Sequence, residues 1–374
     1  MSDTDAGEDG RCGMTTRRWQ RWIPAAVIPV VVVGGALALP LRAGAEVPLP
    51  ERSPQEVLTL LAESDVEVFS GTVEQTSDLG LPSIPSLSGE DMGLGAGLEA
   101  LTADHEARVF ADGSERFRLQ VLDDMGQREL VLNGAEAWTY DFRENEAVRL
   151  TLPEGAKERI ESRLNELKSE QTLTPSAIVE RALAAIDPST EVTTRDNVRV
   201  AGRSAYDLVL SPRTTDTLVG SVAIAVDAET GMPLRASITV RGETEPAASV
   251  AFTELSLDAP EASLFTFSPP ADADVTEKTL PDDSAGVEAR SGEHDATHEK
   301  PTIVGSGWSA VAALPAGSVP AEVASNPLLL EATTPVAGGR ALSTALFSVL
   351  LTDDGRALAG AVPVERLQAA AAAR

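Results

Sequence analysis

Between Leu130 and Leu150 the chain alternates apolar and polar residues too regularly for anything but a run of short antiparallel strands. Asn133-Gly134 tolerates positive φ and closes a tight hairpin. Trp138, Tyr140 and Phe142 then recur at period two, with Ala137, Thr139 and Asp141 on the other side. Arg143-Glu144-Asn145-Glu146 makes the next turn, and Val148 and Leu150 continue the pattern. A sheet face with three aromatic side chains in a row either packs a core or lines an apolar cavity.

The flanking sequence supplies more of the same. Val66 to Gln75 reads as a first strand, entered from a short helix that Ser53-Pro54 starts and Val57, Leu58, Leu60 and Leu61 bury. Strands follow near 105–110, 115–122, 127–132, 136–142 and 146–151, then near 192–200, 203–211, 217–228, 233–242 and 247–257. Asp227 to Pro233 is a strong hairpin turn, and Leu264 to Pro270 closes the series. Helical periodicity returns only at Pro153–Glu170 and from Thr174 to Ile186, where two helices are expected to cover the sheet as a lid or plug. The Gly- and Leu-rich stretch from Asp78 to Asp104 is too long for an ordinary loop; a flap over an apolar cavity and a plain insertion both fit it. The expected fold is α+β: a curved antiparallel sheet, an unclosed half-barrel covered by helices, with a small C-terminal module of β-hairpin and helix.

Four segments are expected. Residues 1–45 end in Arg17-Arg18 and Arg21, an uncharged run from Ile23 to Leu41, and Ala43-Gly44-Ala45, the layout of an export signal cleaved after Ala45. The run has 19 residues, close to the roughly 20 that span a bilayer, so residues 23–41 also fit an N-terminal membrane anchor. Either way the remainder is extracytoplasmic, secreted or held at the cytoplasmic membrane. Residues 46–280 form the half-barrel, 281–304 an acidic linker, and 305–374 the C-terminal module.

Composition removes several functions. Acidic residues outnumber basic ones 58 to 30, a net charge of −28, so the surface repels phosphate backbones and nucleic acid is not an expected partner. Cys12, the only cysteine, precedes the apolar run, so the exported part has no disulfide. There is no Gly-x-Ser-x-Gly, no cysteine nucleophile and no His-Glu-x-x-His, and the acidic pairs Asp123-Asp124 and Asp353-Asp354 fall in turns where solvation explains them. His294 and His298 are spaced to bind a metal only if helical, and the linker around them argues for solvation. The reading is therefore of a binding protein with no catalytic residues, no metal and no cofactor. Its candidate cavity lining is Phe69, Val73, Phe117, Leu119, Trp138, Tyr140, Leu208, Ile224, Ile238 and Phe252. An apolar ligand there gains roughly 0.8 kcal/mol per buried methylene without covalent chemistry.

From Ser53 to Val275 the chain resembles the LolA-like superfamily of bacterial periplasmic carriers. The resemblance rests on Phe69-Ser70-Gly71-Thr72-Val73-Glu74-Gln75, on Asn133-Gly134 with Trp138, Tyr140 and Asp141, on Thr230-Gly231-Met232-Pro233-Leu234, and on Phe265-Thr266-Phe267-Ser268-Pro269-Pro270. The family's arginine-proline segment is here Asp112-Gly113-Ser114-Glu115-Arg116-Phe117-Arg118, without the first arginine. Four lysines against 26 arginines, out of 30 basic residues, suit a GC-rich genome and an actinobacterial-type member. The resemblance implies an unclosed barrel plugged by helices, with lipid or an acylated protein as ligand and a membrane surface as partner. Trp308, Leu314-Pro315-Ala316-Gly317, Leu346-Phe347-Ser348-Val349 and Gly360-Ala361-Val362-Pro363 resemble the second domain of the RseB/MucB regulators. That second likeness implies an envelope sensor whose partner is a membrane anti-sigma factor.

Overall fold

A computed structural model describes residues 49–80, 104–123, 126–151, 189–279, 302–318 and 327–373. The expected export segment or anchor, the greater part of the Gly/Leu-rich stretch, the two helices expected from 153 to 186, and the histidines of the expected linker lie outside these residues.

Helix α1 (Pro54–Ala62) starts as the sequence predicts. Ser53 and Glu56 form a reciprocal capping box, with Ser53 N–H donating to Glu56 Oε2 at 2.7 Å and Glu56 N–H to Ser53 Oγ at 3.3 Å. The Ser53 hydroxyl, first among the causes, holds the Glu56 carboxyl below its ordinary value.

Twelve strands then build one sheet: β1 (Val68–Ser77), β2 (His105–Asp112), β3 (Arg116–Asp123), β4 (Gly126–Asn133), β5 (Glu136–Asp141), β6 (Glu146–Thr151), β7 (Thr190–Val200), β8 (Arg203–Pro212), β9 (Val219–Asp227), β10 (Pro233–Val240), β11 (Pro246–Ser256) and β12 (Asp274–Thr279). Their spatial order is β12-β6-β5-β4-β3-β2-β1-β11-β10-β9-β8-β7, so β12 and β7 are unjoined edges and the barrel is unclosed. Two meanders, β1–β6 and β7–β11, are stitched together by the long β1–β11 ladder. Every pair is antiparallel except β12 with β6. The sequence reads as wholly antiparallel; the exception arises because the chain leaves β11, crosses the sheet through a 3-10 turn (Ala262–Phe265), and returns along the far edge.

A second sheet of six strands is larger than the hairpin expected. Its order is β13 (Thr302–Val304), β14 (Val311–Leu314), β18 (Ala357–Gly360), β17 (Ser348–Thr352), β16 (Gly339–Ser343), β15 (Thr334–Val336). Helix α2 (Pro327–Ala332) precedes β15, and helix α3 (Val364–Ala372) buries Leu367 against Val311, Leu350 and Leu358. The sheet is docked on the first one. Ala361 C=O accepts from Leu218 N–H at 2.9 Å and Thr217 Oγ1 at 2.6 Å, Ala345 N–H donates to Leu79 C=O at 2.9 Å, and Trp308 Nε1 donates to Thr190 Oγ1 at 2.7 Å. Leu346, Phe347 and Trp308 fill an apolar cluster with Leu79, Val219, Val222, Ile238 and Val240.

Candidate ligand-binding face

Strand register, which fixes the face of every side chain, sorts the ten candidate residues. The ladders from β1 to β6 run without a bulge: Phe69 and Val73 lie opposite Ala111 and Ala107, these opposite Phe117 and Val121, and Leu119 opposite both Val109 and Leu130. On the other side of β1, Val73 faces Phe252, Ala248 pairs with Ile238, Ile238 with Val222, and Ile224 with Leu208. Phe69, Val73, Phe117, Leu119, Leu208, Ile224, Ile238 and Phe252 therefore share one face across the whole sheet.

Trp138 and Tyr140 do not. Trp138 pairs with Val131 and Arg149, and Tyr140 with Glu129 and Ala147, all on the opposite face. There the crossing segment covers them. The Phe267 ring lies 5.5 Å from Trp138 and 5.6 Å from Tyr140. Arg149 stands over Trp138 at 5.7 Å while donating to Glu136 at 2.8 Å, and Trp138 Nε1 donates to the same carboxylate at 2.6 Å. Tyr140 Oη donates to Asn145 Oδ1 at 2.9 Å, and Asn145 Nδ2 to Asp272 C=O at 2.8 Å. Burial, followed by the charges of Asp272 and Asp141, raises the Tyr140 phenol above its ordinary value. Phe142, just beyond β5, is 63% exposed. The aromatic hairpin is thus a clamp on the crossing segment, with its rings turned away from the shared apolar face.

Coverage divides the shared face into four parts. Leu208 and Ile224 pack with Val57, Leu58, Leu60 and Leu61 of α1. Ile238 lies under the second sheet. Phe69, Val73, Leu119 and Phe252 join Val109 and Val121 in the central core, where Phe69 meets Phe252 edge-on at 6.0 Å. Beyond that core the face continues as Phe117, Leu130, Leu132, Ala137, Val148 and Leu150, and each of these is only half-buried. This is an apolar wall, one side chain deep, that runs from the core to β6, next to the edge strand β12.

Leu130, Leu132, Val148 and Leu150 are absent from the ten candidates, although the sequence carries the signal for them. A two-residue loop, Gly134-Ala135, sets Asn133 opposite Glu136 and so Leu132 opposite Ala137. That register puts the leucines and the aromatics on different faces.

The other face is polar over β3 and β4. Buried Glu129 accepts from Arg118 and from Gln120 Nε2, and Arg118 Nη1 donates to Leu264 C=O at 2.6 Å. These contacts fix the crossing segment and hold no nucleophile beside a base. Among the described residues no group of three or more His, Cys, Asp or Glu is placed to hold a metal ion.

Residues 94–277 match the family described as "Predicted periplasmic protein (DUF2092)". The match takes in β2 to β11 and the first four residues of β12, and leaves α1, β1 and the second sheet outside it. No curated protein matches the chain. Solved structures similar to it include a chain of the Pseudomonas aeruginosa MucA/MucB complex, 16% identical over 84% of this chain and 96% of that one, with a TM-score of 0.41. A LolA superfamily protein from Nitrosomonas europaea is 12% identical over 58% of this chain and 99% of that one, TM-score 0.22. A lipoprotein-sorting protein domain from Vibrio parahaemolyticus is 9% identical over 56% and 95%, TM-score 0.21.

Proposed function

We propose that this protein is an exported, non-catalytic binder of acyl chains, taken from lipid or from an acylated protein at a membrane surface. The observation that carries the reading is the half-buried wall of Phe117, Leu130, Leu132, Val148 and Leu150, continuous with a fully buried core on the same face. An extended acyl chain laid along it needs no polar partner, and about twelve buried methylenes would contribute about 10 kcal/mol before the cost of association. Eight of the ten residues proposed from sequence share this face, and in this reading Phe117, at the boundary between core and wall, touches the ligand. The unit spanning 46–280 holds the wall, and the unit spanning 305–374 is joined to it through Trp308 and Leu346. Organic extraction of the protein purified from an exporting host, followed by mass spectrometry, tests the reading. Fatty acyl species in stoichiometric amount are expected; a clean extract would count against it.

A regulatory role is the second reading, and the docked second sheet favours it. A carrier needs only the first sheet, whereas a sensor that controls a membrane anti-sigma factor needs a unit in contact with the ligand-binding one. Co-purification of a membrane protein with a basic extracytoplasmic segment, released by added fatty acid, is the expected outcome for a sensor.

A further inference from the structure

The apolar wall has a charged corner. Register carries its rows past β6 onto the edge strand β12: Phe117 faces Leu132, Leu132 faces Ala137, Ala137 faces Leu150, and Leu150 faces Lys278. The row beside it ends with Val148 opposite Thr276. Residues directly opposite one another share a sheet face, so Lys278 stands on the wall's side of the sheet, one strand spacing from Leu150. Lys278 is half-buried, and Val275, Thr276 and Glu277 before it are exposed, so this end of the wall opens to water. A lysine at such a boundary covers apolar surface with its methylene stem and keeps its ammonium in water. The crossing segment sets it there, because the stacking of Phe267 on Trp138 and the bond from Asn145 to Asp272 C=O bring β12 alongside β6.

The charges around the wall are unevenly placed. Among the described residues of its two apolar rows, the charge is that of Lys278. The row beyond them on the same face runs Val121, Arg128, Asp141, Glu146 and Asp274, three acids to one base. Glu277, next to Lys278 in sequence, is on the opposite face, where Arg149 Nη1 donates to it at 3.2 Å. An anionic headgroup is therefore repelled along one border of the wall and attracted at one corner. With a net charge of −28, the chain offers no such attraction over its surface at large. From Lys278 back to Phe117 is four strand spacings, roughly 19 Å, room for an extended acyl chain. The chain itself needs no polar partner; its head does. A single ammonium matches a carboxylate with one negative charge, whereas a phosphate monoester with nearly two calls for a second cation.

We propose that Lys278 holds the carboxylate of a free fatty acid at the β12 end of the wall, with the acyl tail running toward Phe117. The proposal rests on the acyl-binding reading and adds the headgroup to it. Dodecanoate, dodecanol and dodecyl phosphate, each below its micelle threshold, are titrated by calorimetry into the full chain, into Lys278→Met and into Lys278→Arg, all with unchanged melting temperatures. The wild type is expected to bind dodecanoate at least about fivefold more tightly than dodecanol. Lys278→Met, which keeps an unbranched apolar stem over Leu150, is expected to bring dodecanoate down to the level of dodecanol, and Lys278→Arg to keep the preference. Equal binding of dodecanoate and dodecanol by the wild type, the result for a lysine that only discourages strand pairing at the edge, would overturn the proposal and leave the acyl wall standing. A preference for dodecanoate that survives in Lys278→Met would overturn it as well, and tighter binding of dodecyl phosphate would do so in favour of a phosphate headgroup. Binding of none of the three would overturn the acyl-binding reading itself.

Discussion

Phe252 occupies the space that a side chain on Gly71 would need. A Cβ on Gly71 would stand 2.8 Å from the Phe252 ring and 2.5 Å from the Glu254 carbonyl oxygen, beside the bulge where the β1–β11 register shifts. The two meanders are joined at this point, so Gly71→Ala is expected to lower stability by about 1–3 kcal/mol. Urea unfolding followed by circular dichroism checks it, and an unchanged midpoint would show that the bulge can relax.

The clamp of Trp138 on Phe267 should be a stability element. Both rings are half-buried, so removing either is expected to cost about 1–3 kcal/mol, with a coupling of about 0.5–1.5 kcal/mol between them in a double-mutant cycle. Additive losses would mean that the crossing segment is held by its other contacts, among them Arg118 with Leu264 and Asn145 with Asp272.

Acid should weaken the fold through Asp227. Burial, the largest influence, pushes its carboxyl up, but the hydrogen bonds from Arg203 and Thr230 outweigh it and the net shift is below the ordinary 3.8. A carboxyl depressed in the folded state stabilises it above the unfolded value and loses that contribution as pH falls through the folded one. Stability is therefore expected to hold at neutral pH and to fall below about pH 4, with Asp227→Asn less stable at pH 7 and lacking part of the acid loss. An identical acid limb in the variant would place the loss elsewhere.

Docking of the second sheet depends on Leu346, which is 8% exposed in the shared apolar cluster, and on Trp308. Leu346→Glu buries a charge there without a partner, so the two sheets should separate while each keeps its strands. Small-angle scattering is expected to show a larger radius with little change in circular dichroism. An unchanged radius would mean that the backbone bonds to Ala361 and Leu79 suffice.

Alternation and turn chemistry made most of the large sheet legible. The Ser53-Pro54 cap, the Gly134 hairpin and the Asp227–Pro233 turn each act through two or three neighbouring residues, and local sequence specifies such features. What escaped the sequence depends on distant pairing. Nothing near Asp274 shows that β12 will lie parallel to β6, because that follows from the path of the crossing segment over Trp138. The wall of Leu130 and Leu132 was within reach, since the hairpin loop length sets its register, yet three adjacent aromatics are a louder signal than four half-buried aliphatics. The second sheet reads as a hairpin in sequence because its strands are three to five residues long, too short for alternation to show.

The most direct measurement is titration of a fluorescent fatty acid into the wild type and into Leu132→Asp and Trp138→Ala, each confirmed folded. The two positions lie on opposite faces of the same hairpin. Saturable binding by the wild type, at least tenfold weaker binding in Leu132→Asp, and binding within about twofold of wild type in Trp138→Ala are predicted. No binding by the wild type, or loss in Trp138→Ala with Leu132→Asp unaffected, would contradict the assignment of the apolar wall.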